Sequence, residues 1–294
     1  MLLHGGGPGA SGWSNYNRNV EALSAKFRVI IPDLPGYGRS HKEVIEGPRF
    51  AAYAEAMVGV LDHLGVKACH VVGNSLGGGT ALKMALDHGD RVAKLILMGP
   101  AGLITAYTPI PTEGARMIFE YYIGDGPSRE KIEKFIRLMI YDSSNLTKEL
   151  LDQRYQASIE PELVANPPLG KGKVPILEEI WRDVRLAKLP HETLVLWGRD
   201  DRVNPLYTAE VLMNQLPHAR MVSFTHCGHW VQWEKAQAFK ENCSATWAFL
   251  DRRIADVMQF PQVQARLTER LKNLPDPRRI FERLAGRVAG FRRP

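Results

Sequence analysis

The chain has 294 residues, 45% of them hydrophobic and 24% charged, with 38 Lys and Arg against 32 Asp and Glu. That length supports one large core with a smaller accessory element, and the composition belongs to globular proteins rather than disordered or fibrous ones. The net charge of +6 does not point to nucleic acid, because the eleven basic and four acidic residues from Arg252 onward hold all of the excess. The first 251 residues carry 27 basic and 28 acidic side chains and are close to neutral.

No apolar run reaches the roughly 18 residues that a membrane span needs. The start, Met1-Leu2-Leu3-His4-Gly5, lacks the basic segment, apolar stretch and cleavage site of a secretory leader. Cys69, Cys227 and Cys243 are odd in number and far apart, which predicts free thiols in a reducing compartment and a cytoplasmic protein.

In chain order, a short apolar stub leads into His4-Gly5-Gly6-Gly7-Pro8-Gly9, a loop whose glycines let a backbone amide approach a substrate. Phe27 to Asp33 reads as a buried strand closed by Pro32 and the Pro35-Gly36 turn. A helix over 51–64 precedes a strand over 68–72. Gly73-Asn74-Ser75-Leu76-Gly77 then stands between that strand and a helix over 77–88. This is the strand–turn–helix setting in which G-x-S-x-G lifts a serine above the end of a sheet. The Leu76 amide, directly after the nucleophile, is positioned to stabilise an oxyanion. A dinucleotide loop is excluded, since position 75 is Ser where a second Gly is needed.

A further strand spans 94–98. The β pattern then gives way between about Gly102 and Lys188, where 117–123, 131–140 and 150–159 have apolar residues at helical spacing. An all-helical insertion between two strands reads as a lid over the site. Strands return at 193–197 and 219–224, with a helix over 206–216 between them and another over 232–250 after them. Trp197-Gly198-Arg199-Asp200-Asp201-Arg202 leaves a strand and offers two carboxylates, Asp200 and Asp201, as the acid. Phe224-Thr225-His226-Cys227-Gly228-His229-Trp230 holds the base, with His229 favoured over His226. The order Ser, Asp, His is the one that goes with this elbow. Finger-like Cys/His pairs and H-E-x-x-H are missing, so no metal is expected. In the tail, Val263, Leu267, Leu271 and Leu274 share one helical face, and Ile280, Leu284 and Val288 repeat the spacing after Pro275 and Pro277. This reads as a docking or oligomer helix, a weakly ordered tail, or a basic amphipathic element for a membrane surface or acidic partner.

Together these residues resemble the meta-cleavage product hydrolases, carbon–carbon bond hydrolases of the α/β-hydrolase fold. The likeness runs from Met1 to about Leu250. It is carried by the 4–10 loop, Trp13 to Tyr16, Asp33 to Gly38, Gly73 to Gly79, Met98-Gly99-Pro100 and Pro111 to Gly114, together with Trp197 to Arg202 and Cys227 to Trp230. The resemblance implies an α/β core over 1–101 and 189–251, a helical lid over 102–188 and an extension over 252–294 outside the family pattern. It implies a triad of Ser75, Asp201 and His229 and an oxyanion hole from Gly6 and Leu76. The substrate-binding set becomes Gly7, Asn15, Asn74, Arg154 and Trp230, with Arg154 as the partner of a substrate carboxylate.

The implied substrate is a 2-hydroxy-6-oxo-hexa-2,4-dienoate, cleaved to 2-hydroxypenta-2,4-dienoate and a carboxylic acid without cofactor, by a homo-oligomer with no nucleic-acid partner. A serine carboxylesterase and a non-catalytic, truncated homologue are the alternatives. The family begins some thirty residues earlier, with two strands more. The 27–33 strand is therefore expected to lack outer neighbours and to expose an edge.

Overall fold

The computed structural model describes residues 1–42, 45, 47–103, 112–169 and 178–246. Met1–Glu241 forms one compact unit and Asn242–Pro294 a second. The tail helices expected at 263–274 and 280–288 lie outside the described residues.

Five strands, β1 (Leu2–Leu3), β2 (Cys69–Asn74), β3 (Val92–Met98), β4 (Thr193–Gly198) and β5 (Ala219–Phe224), form one sheet in the order β1-β2-β3-β4-β5. Every pair is parallel. Parallel strands need crossovers that cover both faces, which is why Val71-Val72, Leu95 to Met98 and Leu194 to Trp197 read as continuous apolar runs instead of alternating ones. Val71, Leu95, Leu97, Val195 and Trp197 face one side, where they share a core with Phe50, Tyr53 and Leu61 of α2 (Arg49–His63), Leu82 of α3 (Leu76–Asp87) and Leu212 of α8 (Thr208–Met213). The alternate residues Val72, Ile96, Leu194 and Leu196 are equally buried. On the amino-terminal flank, α1 (Gly12–Ser24) packs against β1 and against α9 (Val231–Glu234).

Helix α1 was not foreseen. Its Gly, Ser and Asn content is poor for helix, but Ser11 and Ser14 form a reciprocal capping box that satisfies its first amides. The helix expected over 232–250 is interrupted at Lys235 and resumes over 236–246.

The strand expected at 27–33 does not form. One sheet-like hydrogen bond, from Leu2 N to Ile30 O at 2.8 Å, joins it to β1. A ladder needs a partner of comparable length, and β1 offers two residues. The segment is held by side chains instead: Asp33 accepts from Gly12 N at 2.7 Å and from Arg39 N at 2.9 Å.

Between β3 and β4 the chain is helical, as α4 (Glu113–Glu120), α5 (Arg129–Met139), α6 (Lys148–Ser158) and α7 (Pro161–Ala165). Ser128 and Thr147 cap α5 and α6 through their hydroxyls. Ile132, Phe135, Ile136, Leu138 and Met139 of α5 cluster with Val203 of the loop after β4, Trp230 at the end of the loop after β5, and Trp233 of α9 that follows it. The insertion thus builds its own core on those segments.

Backbones approach very closely at the turn between β2 and α3. A Cβ on Gly73 would stand 2.2 Å from Gly77 O, and one on Gly77 would stand 2.3 Å from Leu3 O. Both contacts are with backbone, which cannot rotate away. Gly77→Ala is therefore expected to cost at least about 2 kcal/mol and to lower the thermal midpoint by roughly 5 °C or more. Scanning calorimetry on the variant checks this, and an unchanged midpoint contradicts it.

Candidate active site

Ser75 occupies the turn between β2 and α3 with φ 53° and ψ −115°. A non-glycine residue at positive φ stores on the order of 1–3 kcal/mol of strain. The turn is over-determined by Ser75 N donating to Met98 O at 2.9 Å and by Ser75 O accepting from Gly79 N at 3.0 Å and Ala101 N at 2.9 Å. Leu76 is the first residue of α3, so its amide is among those that a helix start leaves without an intrahelical acceptor. Gly6 closes over it: a Cβ there would meet Leu76 Cδ2 at 3.0 Å.

Asp201 and His229 are 6% and 3% exposed, and Asp201 Oδ2 lies 2.7 Å from His229 Nδ1. The other carboxylate oxygen accepts from Val203 N and Asn204 N, each at 2.8 Å. With its lone pairs held this way, the carboxylate keeps the proton on Nδ1 and leaves Nε2 as the basic nitrogen. Gly99, at φ 44°, brings bare backbone against the pair, where a Cβ would fall 2.9 Å from Asp201 Oδ2. The neighbouring Asp200 instead accepts from Cys227 N at 3.1 Å and braces the loop after β5. His226 is exposed, at φ 50°, with its ring 4.9 Å from that of Tyr141. Among the described residues no three His, Cys, Asp or Glu side chains converge as metal ligands would.

Ser75 and His229 line one cavity of ≈ 260 Å³ together with Gly6, Gly7, Asn15, Asn74, Arg154 and Trp230. These are eight of the ten residues singled out from the sequence. Asp201 stands behind His229, and Leu76 behind Ser75. Sequence reasoning missed the apolar wall of Ile118, Phe135 and Met139, whose only signal was helical spacing in the insertion.

Arg154 is 3% exposed and donates through Nε and Nη2 to Pro8 O, at 3.2 and 2.6 Å. Its Nη1 is buried without a partner, and no carboxylate pairs with the guanidinium among the described residues. Burial holds its pKa down to about 10. The guanidinium carbon lies 5.3 Å from the centre of the Trp230 ring.

Asn74 and Asn15 have structural bonds as well as cavity positions. Asn74 Nδ2 donates to Met98 O and His229 O, both at 3.2 Å, while its Oδ1 is buried without a partner. Asn15 Oδ1 accepts from Gly5 N at 3.3 Å and steadies the glycine loop.

With this geometry in view, comparison places the chain. The profile of the alpha/beta hydrolase fold matches residues 1–236. A 2-hydroxy-6-oxo-6-phenylhexa-2,4-dienoate hydrolase of Burkholderia cepacia is 44% identical over 245 residues, 81% of this chain and 84% of that protein. The chain belongs to the meta-cleavage product hydrolases of the α/β-hydrolase fold. A 2-hydroxy-6-oxononadienedioate/2-hydroxy-6-oxononatrienedioate hydrolase of Comamonas testosteroni is 41% identical, with 81% and 84% of the two chains covered. Among solved structures, a meta-cleavage product hydrolase from Pseudomonas fluorescens superposes with a TM-score of 0.75 at 31% identity, covering 85% of this chain and 90% of the other.

One buried residue beside the site explains the loop's first position. His4 Nε2 accepts from Leu34 N at 2.9 Å, so its Nδ1 carries the proton and donates to Gly5 O at 2.8 Å. The ring serves only when neutral, and burial lowers its pKa to about 4. The folded pKa lies below the unfolded value of about 6.5, so between these values the unfolded chain binds the extra proton. The stabilisation is complete above pH 6.5 and falls by about 3 kcal/mol as pH drops to 4. Urea unfolding across that window should show net proton uptake and a falling midpoint, and a flat profile contradicts the assignment.

Proposed function

We propose that this chain hydrolyses the C5–C6 bond of a 2-hydroxy-6-oxo-hexa-2,4-dienoate, with Ser75, His229 and Asp201 as the reacting set. The observation that carries the reading is the buried, carboxylate-free cation of Arg154 in the same cavity as Ser75 and His229. A desolvated guanidinium with an unpartnered Nη1 is costly unless an anion completes it. A simple carboxylic ester presents no such anion, whereas the dienoate carries a carboxylate at C1. Among the described lining residues Arg154 is the one permanent cation, so the cavity reads one carboxylate.

The chemistry follows from placing that carboxylate on Arg154. The dienol end lies along Trp230 and Asn74, whose free Oδ1 can accept from the 2-hydroxyl. Proton transfer from the 2-hydroxyl to C5 gives a vinylogous 1,5-diketone. Its C6 carbonyl then faces the amides of Gly6 and Leu76, which stabilise the oxyanion formed on attack. His229 takes the proton from the Ser75 hydroxyl, or from a water that it positions, and Asp201 stabilises the imidazolium. Collapse breaks C5–C6, and the electron pair is delocalised into the dienolate of 2-hydroxypenta-2,4-dienoate while C6 leaves as a carboxylic acid. Water supplies the oxygen and the two hydrogens that balance the reaction. The helices over 112–165 act in this scheme as the lid, which carries the carboxylate-binding Arg154 and the apolar wall.

No helix among the described residues is long and apolar enough to cross a membrane. The reading extends to a cytoplasmic location, supported by three free cysteines, and to a homo-oligomer.

Two variants test the scheme. Ser75→Ala should lower kcat by at least about 10³-fold while the dienoate still binds, read as loss of its visible absorbance in turnover and its retention in titration. Normal turnover by this variant removes Ser75 from the mechanism. Arg154→Gln keeps a donor for Pro8 O but drops the charge. It should raise KM for the dienoate by roughly 10- to 100-fold and leave hydrolysis of a neutral aryl ester unchanged. Equal losses on both substrates would favour a simple esterase.

A further inference from the structure

The base sits on a loop that is tied to the helical insertion rather than to the sheet alone. His229 N donates to Met139 O at 2.7 Å, at the end of α5. Next to it, a Cβ on Gly228 would fall 2.4 Å from Met139 O and 3.0 Å from Ile140 Cα, so loop and helix end meet backbone to backbone. On its other side the loop rests on β4, where a Cβ on Gly198 would meet Gly228 O at 2.0 Å. The loop is wedged between the strand that leads to Asp201 and the helix that lines the cavity.

Glu234, the last residue of α9, closes this wedge. Its Oε2 accepts from Gly228 N at 2.7 Å, and its Oε1 accepts from Tyr141 N at 2.8 Å and Asp142 N at 3.2 Å. One half-buried carboxylate therefore takes three backbone amides from two segments that are 86 residues apart at their nearer ends. Ile140 is extended, with φ −117° and ψ 149°, so the chain turns away from α5 there and the Tyr141 and Asp142 amides are free to donate to Glu234. Burial raises the Glu234 pKa, with the three amides opposing that shift.

The geometry points to Glu234 as a positioning residue that locks the His229 loop to the end of α5, so that the cavity wall of Phe135 and Met139 and the catalytic base move as one body. The inference rests on the hydrolase reading above. Its chemical content is that both carboxylate oxygens are needed. An amide in place of the carboxylate has one acceptor oxygen, and its NH₂ would face a backbone N–H. Such a side chain can hold the Gly228 side or the Tyr141–Asp142 side, but not both.

The test compares Glu234→Gln and Glu234→Ala with wild type on a dienoate substrate. Arg137→Ala, on the exposed face of α5 where Arg137 pairs with Glu133, is the control. The expected result is a fall in kcat of at least tenfold for both Glu234 variants, with KM within twofold because Arg154 is untouched, and wild-type kinetics for the control. Isosteric rescue by Gln, with wild-type kcat, overturns the proposal, as does a parallel change of kcat and KM that tracks only the loss of thermal midpoint. Amide hydrogen exchange supplies a readout independent of turnover: in Glu234→Gln, protection should fall together at 139–142 and 227–230. Unchanged protection in both segments also overturns it. If wild type fails to cleave any dienoate, the hydrolase reading fails, and the exchange measurement still decides whether Glu234 couples the two segments.

Discussion

A serine held at φ 53° is the constraint on which the rest of the site depends. The conformation turns the chain from strand to helix within one residue, and it is possible only where neighbouring backbones come closer than a Cβ permits. Gly73 against Gly77 O and Gly77 against Leu3 O make that approach. The strain is offset by three backbone hydrogen bonds, one donated by Ser75 N to Met98 O and two accepted by Ser75 O from Gly79 N and Ala101 N. The same turn that exposes the Ser75 hydroxyl also delivers the Leu76 amide, so the proposed nucleophile and the proposed oxyanion donor arise from one local event.

The remaining parts are brought to this turn by buried polar groups with little freedom. Asp201 spends one oxygen on two backbone amides and the other on His229, which fixes both the tautomer and the ring. His4, neutral because it is buried, links the glycine loop to Leu34. Asn15 holds Gly5, and Asn74 spans the end of β3 and the base loop. Arg154, like Asn74 with its buried Oδ1, is left incomplete. Its Pro8 contact uses two nitrogens and leaves a third without a partner in the cavity wall. In a protein interior such a group calls for an explanation, and the proposed substrate carboxylate supplies one.

The insertion and the core are interdependent in a way that layer diagrams conceal. Trp230 and Trp233 belong to the segment carrying the base, yet they pack with α5 in the insertion's core. The contact through Met139 O and the Glu234 carboxylate extends this from packing to hydrogen bonding. Changes in the helical wall are thus transmitted to the imidazole through backbone, which moves far less freely than side chains.

Much of this was legible in the chain. Gly-x-Ser-x-Gly between an apolar strand and a helix specifies its own geometry, because only glycine fits the contacts that the turn makes. Four of the five expected strands, the alternating helices and the amphipathic α5 follow from periodicity, since a parallel sheet is buried on both faces and a surface helix on one. Sequence could not show that 27–33 would lack a ladder, because pairing depends on the length of a partner strand and not on the segment's own β propensity. Helix α1 was likewise hidden, since its stability comes from the Ser11 capping box and from packing on β1 and α9 rather than from helix-forming residues. Nor could sequence distinguish Glu234 from an ordinary helix carboxylate or show that no carboxylate among the described residues pairs with Arg154. Those are facts about what stands beside a group in three dimensions, and only the tertiary structure decides them.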